Sequence, residues 1–254
     1  MRDVRKEIEE KLYEIEAREH VRILHAVESG SRAWGFASPD SDYDVRFIYI
    51  REPEDYLRLD EPRDVIEWQL DEVLDINGWD LKKTLIQFHR GNATLFEWAN
   101  SPVVYWTTDL WQQIYEQVKM YFSVKVAANH YYGTANNTYR QYLQEDAVKY
   151  KKYFYALRPL LAARYAEEYQ TPPPVFFDDL LNMELPEELR EGIAELLEKK
   201  KVTDEKDLNP QIPVIQTFIE MELERQKALV AELEDDRKKD WDVLNRVFRG
   251  CIVF

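Results

Sequence analysis

Apolar residues in the first part of the chain recur first at helical and then at strand spacing. Between Val4 and Ile15 they come every three or four positions among charged residues, which predicts an amphipathic first helix. Two apolar runs follow, VRILHAV and VRFIYI, and the second predicts a strand from Asp44 to Ile50. A further strand is predicted from Val65 to Val73, and Leu81 to Arg90 returns to helical spacing.

This order of elements predicts an α+β fold on a small mixed sheet, rather than a doubly wound sheet. From about Trp111 the pattern is that of long helices, and three consecutive prolines at 172–174 interrupt it. We therefore predict two domains, residues 1–110 with the sheet and residues 111–254 as an all-helical domain. In the second domain, helices are predicted over 124–169, 186–199 and 214–248, with 200–213 as the linker.

The most informative local feature is a Gly-Ser turn followed by paired carboxylates, within ESGSRAWGFASPDSDYDVRFIYI. Gly30 lets backbone N–H groups approach an anion, and Ser31 adds a hydroxyl donor. Asp42 and Asp44 point to the same face of the predicted strand, where two carboxylates repel each other unless a cation lies there. The pattern favours Mg²⁺, which takes one or two carboxylates and completes its shell with water and phosphates.

The acidic segment also has features of a calcium loop and of a solvated turn. Asp40, Asp42 and Asp44 follow the alternating acidic pattern of a calcium loop, but Val45 and Arg51 stand where that loop needs Gly and Glu. A solvated turn accounts for Asp40 through the sequence SPDS. It does not account for the two later acids, which share one face at the start of a strand.

The Gly-Ser turn, ten intervening residues and the Asp-x-Asp pair resemble the signature of the DNA polymerase beta-type nucleotidyltransferase superfamily. The segments GSRAWGFASPDSDYDVRFIY, GWDLKKTL, EWANSPVVY and KKYFYALRPLLAA are similar to the nucleotidyltransferases assigned to an RNA-repair pathway. The resemblance implies an enzyme that moves a nucleoside monophosphate from a nucleoside triphosphate to an acceptor hydroxyl and releases pyrophosphate.

In that superfamily the Gly-Ser turn, here Gly30-Ser31, holds the triphosphate, and the paired acids hold two metal ions, here two Mg²⁺. The superfamily also has a third carboxylate between apolar residues on a later strand. Asp80 fits this description in the sequence WDL. The resemblance therefore implies that Asp42, Asp44 and Asp80 are the catalytic and metal-binding acids.

A triphosphate needs cations beyond the metal ions. Arg32 directly follows the Gly-Ser turn, and a guanidinium binds phosphate oxygens bidentately. Lys151 and Arg158 lie two helical turns apart at the edge of an apolar face, and the resemblance puts this segment in a helical domain that closes over the nucleotide. We predict that Lys151, Lys152 and Arg158 bind nucleotide. The alternative is a solvated basic face paired with nearby acids.

Composition limits the class of protein and its partners. With 254 residues and 45% hydrophobic content, the chain can bury a sizeable core. Its net charge of −15 means that any contact with a polynucleotide must be local and salt-sensitive. An RNA end is one expected acceptor. The sequence leaves open two other acceptors, a protein hydroxyl that would be AMPylated and a small molecule. It also leaves open that the protein is a nucleotide-binding module without turnover.

The cysteine, histidine and apolar content of the chain argues against disulfide-bonded, zinc-binding and membrane-spanning proteins. Cys251 is the only cysteine, which excludes an internal disulfide and a zinc–thiolate cluster. The four histidines lack the spacing of metal ligands, so we expect them to be structural. The N-terminal segment has no apolar core, and no apolar run approaches the length of a membrane span. We therefore expect a cytoplasmic protein without membrane contact.

Overall fold

The computed structural model describes residues 3–38, 41–69, 73–202 and 207–252. The chain forms two compact units: a sheet unit of residues 1–122 and 237–254, and a helical unit of residues 123–236. The elements in chain order are α1 Val4–Glu19, β1 Val21–Ser29, α2 Gly30–Trp34, β2 Tyr43–Arg51, β3 Val65–Gln69, β4 Leu74–Asp80, α3 Leu81–His89, α4 Ala93–Ala99, β5 Val104–Thr107, α5 Asp109–Val118, α6 Val124–Tyr142, β6 Ala147–Val148, α7 Tyr150–Tyr169, α8 Phe177–Leu180, α9 Glu187–Val202, β7 Asn209–Pro210, α10 Pro213–Glu232 and α11 Asp242–Cys251.

The sheet unit contains a five-stranded mixed sheet in the order β3-β4-β2-β1-β5. Strands β2 and β4 are parallel, and the other neighbouring pairs are antiparallel. The predicted α+β fold with a small mixed sheet is therefore confirmed. The single strand predicted over 65–73 is replaced by β3, which ends at Gln69, and by β4, which begins at Leu74. Residues 70–72 of that prediction lie outside the described part of the chain.

Helices cover both faces of the sheet. Residues of α1 such as Leu12 pack on one face against Val45 and Phe47 of β2. On the other face, Ile48 of β2 packs with apolar residues of α3, α4, α5 and α11. Because successive strand residues point to opposite faces, Asp44 lies on the same face as Ile48, at the beginning of β2.

The boundaries of the predicted helices and domains differ from the structure. Residues 111–122 and α11 belong to the sheet unit, because Trp111 and Leu244 pack into the core on one face of the sheet. The helix predicted over 124–169 divides into α6 and α7, and the one predicted over 214–248 divides into α10 and α11. Asp236 accepts hydrogen bonds from the Ser123 hydroxyl at 2.5 Å and from the Val124 amide at 2.7 Å, so this acidic segment caps α6 instead of continuing α10. Among the described residues, no helix has both the length and the apolarity needed to cross a membrane.

His25 gives the sheet unit a testable pH dependence. Its ring is buried against Trp111, and its nitrogens contact the Thr107 hydroxyl and the Trp98 carbonyl at 3.2 and 3.3 Å. Burial lowers the pKa of His25 from 6.5 to about 4. Between these values the unfolded chain binds a proton that the folded chain excludes, so stability is lost as pH falls from 6.5 towards 4.

We expect the titration of His25 to lower the free energy of unfolding by on the order of 3 kcal/mol between pH 7 and pH 4. The measurement is urea unfolding of wild type and His25→Gln across that range. Other titrating groups are shared by both proteins, so the difference between the two curves isolates His25. A difference that does not change with pH would contradict the expectation.

Candidate active site

The Gly-Ser turn packs directly against one of the paired acids. Strand β1 ends at Ser29, and Gly30 begins α2 with φ +61°, a backbone conformation that favours glycine. A Cβ added at Gly30 would lie 2.5 Å from Oδ2 of Asp44. A side chain at position 30 would therefore occupy the space beside the carboxylate. Ser31 follows in the first turn of α2 and is buried.

A buried glutamate that no sequence motif singles out fixes the beginning of β2. Glu28 is only 1% exposed, and its Oε1 accepts a hydrogen bond from the backbone N–H of Asp44 at 2.7 Å. Its other carboxylate oxygen accepts a hydrogen bond from the Tyr105 hydroxyl, and its carbonyl accepts one from Ser101 at 2.7 Å. Burial raises the pKa of Glu28, and the hydrogen bonds from Tyr105 and Asp44 partly offset this.

The strand register places a different third acid beside the pair. In the parallel pairing of β2 with β4, Asp44 lies opposite Asp75. One nitrogen of Arg46, Nη2, contacts Oδ1 of Asp44 at 3.2 Å and Oδ2 of Asp75 at 2.8 Å. The two carboxylates thus face one cation on the same face of the sheet. Asp75 lies between apolar residues in the sequence LDI, a pattern that it shares with Asp80.

The expectation that Asp80 lies beside Asp42 and Asp44 is wrong. Asp80 pairs with Tyr49, about 16 Å further along the sheet at about 3.3 Å per residue. Asp80 is 4% exposed, and its carboxylate accepts hydrogen bonds from the Lys82 amide at 2.7 Å, as the N-cap of α3, and from the Tyr56 hydroxyl at 2.8 Å. Burial raises its pKa, and the hydrogen bond from Tyr56 lowers it. These contacts favour a structural role for Asp80.

Asp44 is held in an environment that opposes its negative charge. Burial raises its pKa most, and the nearby carboxylates of Asp75 and Asp42 raise it further. Arg46 acts in the opposite direction, by charge and by its hydrogen bond. A cation at this position therefore stabilises the ionised form of Asp44. Asp42 is exposed and lies immediately before β2.

Arg32, predicted as a phosphate ligand, binds the backbone of the acidic segment. Its Nη2 donates to the Ser41 carbonyl at 2.6 Å, and its Nε donates to the Asp42 carbonyl at 3.0 Å. Its guanidinium carbon lies 3.7 Å from the centre of the Tyr43 ring. Nη1 makes none of these contacts. Arg32 therefore holds α2 against the residues that begin β2, and its role towards phosphate stays a prediction.

The basic residues predicted on α7 differ in accessibility. Lys151 and Lys152 are partly exposed, and the Lys152 ammonium lies 3.9 Å from the centre of the Tyr142 ring. Burial lowers the pKa of Lys152, and the charges of Lys151 and Lys149 lower it further. Their role towards nucleotide stays a prediction that rests on the resemblance.

Arg158 lies inside the helical unit rather than at the edge of an apolar face. It is 1% exposed, donates to the Val175 carbonyl at 3.4 Å, and lies 5.7 Å from the centre of the Tyr131 ring. A phosphate would reach this guanidinium only if the packing around it opened. The structure therefore favours a structural role for Arg158, and its contact with nucleotide stays a prediction.

The three carboxylates of the site do not form a ready-made metal cluster. In the described ranges, no group of three or more His, Cys, Asp and Glu side chains is arranged to hold a metal ion. Arg46 contacts two of the acids, with its Nη2 at 3.2 Å from Oδ1 of Asp44 and at 2.8 Å from Oδ2 of Asp75. Mg²⁺ commonly takes only one or two protein carboxylates and completes its shell with water and phosphates. Asp44 and Asp75 match that requirement.

The candidate site thus consists of a glycine turn packed against Asp44, with Asp75 beside it on the neighbouring parallel strand. Comparison with known proteins gives the class of protein. The model of the RNA repair pathway DNA polymerase beta family matches residues 4–250. The chain therefore belongs to the RNA repair pathway DNA polymerase beta family.

Two individual proteins are similar to the chain, one in sequence and one in structure. The uncharacterized protein YcgL of Bacillus subtilis (strain 168) is 42% identical over 253 residues, which cover 98% of this chain and 96% of that protein. The crystal structure of a nucleotidyltransferase-like protein from Exiguobacterium sibiricum is 13% identical, with a TM-score of 0.30 over 88% of this chain and 74% of that one. A TM-score this low adds nothing to the assignment.

Proposed function

We propose that this protein is a metal-dependent nucleotidyltransferase that transfers a nucleoside monophosphate from a nucleoside triphosphate to an acceptor hydroxyl. The family membership supports the class of reaction. One observation carries the proposal for this chain. The Gly30 turn touches the carboxylate of Asp44, and the strand register brings Asp75 beside that same carboxylate.

The residues present fit a divalent cation. Burial and two neighbouring carboxylates disfavour the charge on Asp44, and Arg46 offsets only part of this effect. Gly30 leaves the space beside Asp44 free of a side chain. We propose Asp44 and Asp75 as the principal metal ligands, with the exposed Asp42 as a further acid of the site. Bound Mg²⁺ would neutralise phosphate charge and lower the pKa of the attacking hydroxyl.

The chain's own groups would then position the reactants. The backbone at Gly30 and the hydroxyl of Ser31 would donate to the β- and γ-phosphates, while Glu28 keeps the beginning of β2 in place through the Asp44 amide. A bond forms between the acceptor oxygen and the α-phosphorus. The bond from that phosphorus to the oxygen shared with the β-phosphate breaks, pyrophosphate leaves with the electron pair, and the hydroxyl proton passes to water.

We propose an RNA end as the acceptor, because the description of the family names an RNA repair pathway. The net charge of −15 requires such a contact to be local and salt-sensitive.

The experiment supplies each α-³²P-labelled nucleoside triphosphate with Mg²⁺ to the protein, together with an RNA oligonucleotide, a protein pool or a small-molecule pool. We expect label on the RNA and one pyrophosphate released per transfer. Label on protein alone would show that the acceptor is a protein hydroxyl and not an RNA end. Triphosphate binding without release of pyrophosphate would contradict the proposed turnover.

A further inference from the structure

The helical unit contains a groove that is lined by none of the candidate-site acids and by no residue of the Gly-Ser turn. Its volume is about 830 Å³, and it is lined by residues at the beginning of α9, by residues of α10 as far as Arg225, and by Arg164 of α7. Sites for small organic ligands commonly fall between about 300 and 1,000 Å³. The groove thus has room for a ligand of that size.

One side of α10 forms the apolar wall of this groove. Val214, Phe218 and Met221 are four and three residues apart, so they share a helix face that differs from the buried face of Ile215 and Ile219. The side chain of Met221 is 69% exposed, although it lies beside other apolar groups. Contact with an apolar ligand would remove this surface from water, which is favourable.

The α9 side of the groove is held by the close approach of two helices. A Cβ added at Gly192 of α9 would lie 2.4 Å from a methyl carbon of Val214. The two helices therefore touch at this point, and Leu189, one turn earlier in α9, lines the groove and is almost fully buried. A wall built on such a contact offers a preformed surface rather than one that must assemble around the ligand.

The charged groups at the groove differ in whether they are already neutralised. Arg225 donates to both carboxylate oxygens of Glu167, at 3.0 and 2.8 Å, and to Glu222 at 2.7 Å. Arg164 is half-buried and makes no hydrogen bond or ion pair with any residue that the structure describes. Glu188 is exposed at the rim, where water screens its charge. The groove therefore combines an apolar wall with a guanidinium that no described residue neutralises.

We propose that this groove binds an aliphatic monocarboxylate, whose carboxylate pairs with Arg164 and whose chain lies on Phe218 and Met221. A guanidinium pairs with a carboxylate through two parallel hydrogen bonds, and partial burial strengthens that pair. A single negative charge fits better than a dianion, because Glu188 and Glu222 also line the groove. The proposal does not depend on the proposed nucleotidyltransferase activity.

Dodecanoate is the probe, titrated below its micellar concentration into the whole 254-residue chain by isothermal calorimetry. Dodecan-1-ol has the same chain without the charge and serves as the matched ligand. We expect wild type to bind dodecanoate at least tenfold more tightly than the alcohol. Arg164→Gln should lose that tenfold preference while its affinity for the alcohol stays unchanged.

Two further variants locate the binding site. Met221→Glu changes an exposed side chain, so the fold should be retained, and it should weaken both ligands at least tenfold by placing a charge on the apolar wall. Glu188→Gln changes a charge at the rim and should not weaken either ligand. The proposal is overturned if dodecanoate shows no saturable binding to wild type. It is also overturned if Arg164→Gln or Met221→Glu binds dodecanoate as wild type does.

Discussion

Asp44→Asn is expected to lower nucleotidyl transfer roughly a hundredfold or more, while the metal-free protein keeps or gains thermal stability. Activity falls because a neutral amide is a poor ligand for a divalent cation beside phosphates. Stability holds because burial, Asp75 and Asp42 all oppose the charge on Asp44 in the folded protein. Arg46 also contacts Asp75, at 2.8 Å, so the substitution leaves this guanidinium one carboxylate partner.

The measurement pairs pyrophosphate release with a thermal unfolding scan of the metal-free protein. Asp109→Asn, at an exposed aspartate in the same unit, is the control: it should leave transfer unchanged and lower stability by no more than about 0.3–1 kcal/mol, because Asp109 lies in the first turn of α5. If Asp44→Asn is unfolded at ordinary temperature, Asp44 is required for folding and the proposed metal role is contradicted. Full metal-dependent activity in this variant would remove it from the site.

Gly30→Ala is expected to reduce both stability and transfer. The backbone at residue 30 has φ +61°, where a Cβ costs about 1–2 kcal/mol. The new methyl would also meet Oδ2 of Asp44 at 2.5 Å, so the carboxylate must move away from the turn. A displacement of about 1 Å in a positioned catalytic group lowers the rate roughly a hundredfold.

Gly133→Ala in α6 is the matched control for this substitution. Nothing lies within 4 Å of a Cβ at that position, and the residue is inside a helix. Alanine there should stabilise the protein by about 0.5–1 kcal/mol. Unfolding free energies from urea titration and single-turnover rates distinguish the two variants. If Gly30→Ala matches wild type in rate, the close packing of the turn against Asp44 has no role in transfer.

The sequence alone predicts the parts of the candidate site that lie in one contiguous segment. Gly30, Ser31, Asp42 and Asp44 occur within one turn and the beginning of one strand, so local rules are sufficient to bring them together. The third acid cannot be chosen in this way. Both LDI and WDL place an aspartate between apolar residues, and only the pairing of β2 with β4 puts Asp75 beside Asp44.

The helical elements show the same limit at a larger scale. The spacing of Lys151 and Arg158 predicts a shared helix edge, but packing against Tyr131 and Val175 encloses Arg158. The charged run after Glu232 predicts a continuation of α10. There the carboxylate of Asp236 instead accepts hydrogen bonds at the start of α6, a partner that is distant in the sequence. Tertiary contacts of this kind override local propensity.

The central claim is that Asp75, and not Asp80, completes the metal-binding acids with Asp44. Its most direct test is the binding of Mn²⁺, followed by electron paramagnetic resonance in the presence of a nonhydrolysable triphosphate analogue. We expect Asp75→Asn to weaken Mn²⁺ binding roughly tenfold or more. We expect Asp80→Asn to bind Mn²⁺ as wild type does, because asparagine also caps a helix and can accept the Tyr56 hydroxyl. Weakened Mn²⁺ binding in Asp80→Asn, with unchanged binding in Asp75→Asn, would contradict this assignment.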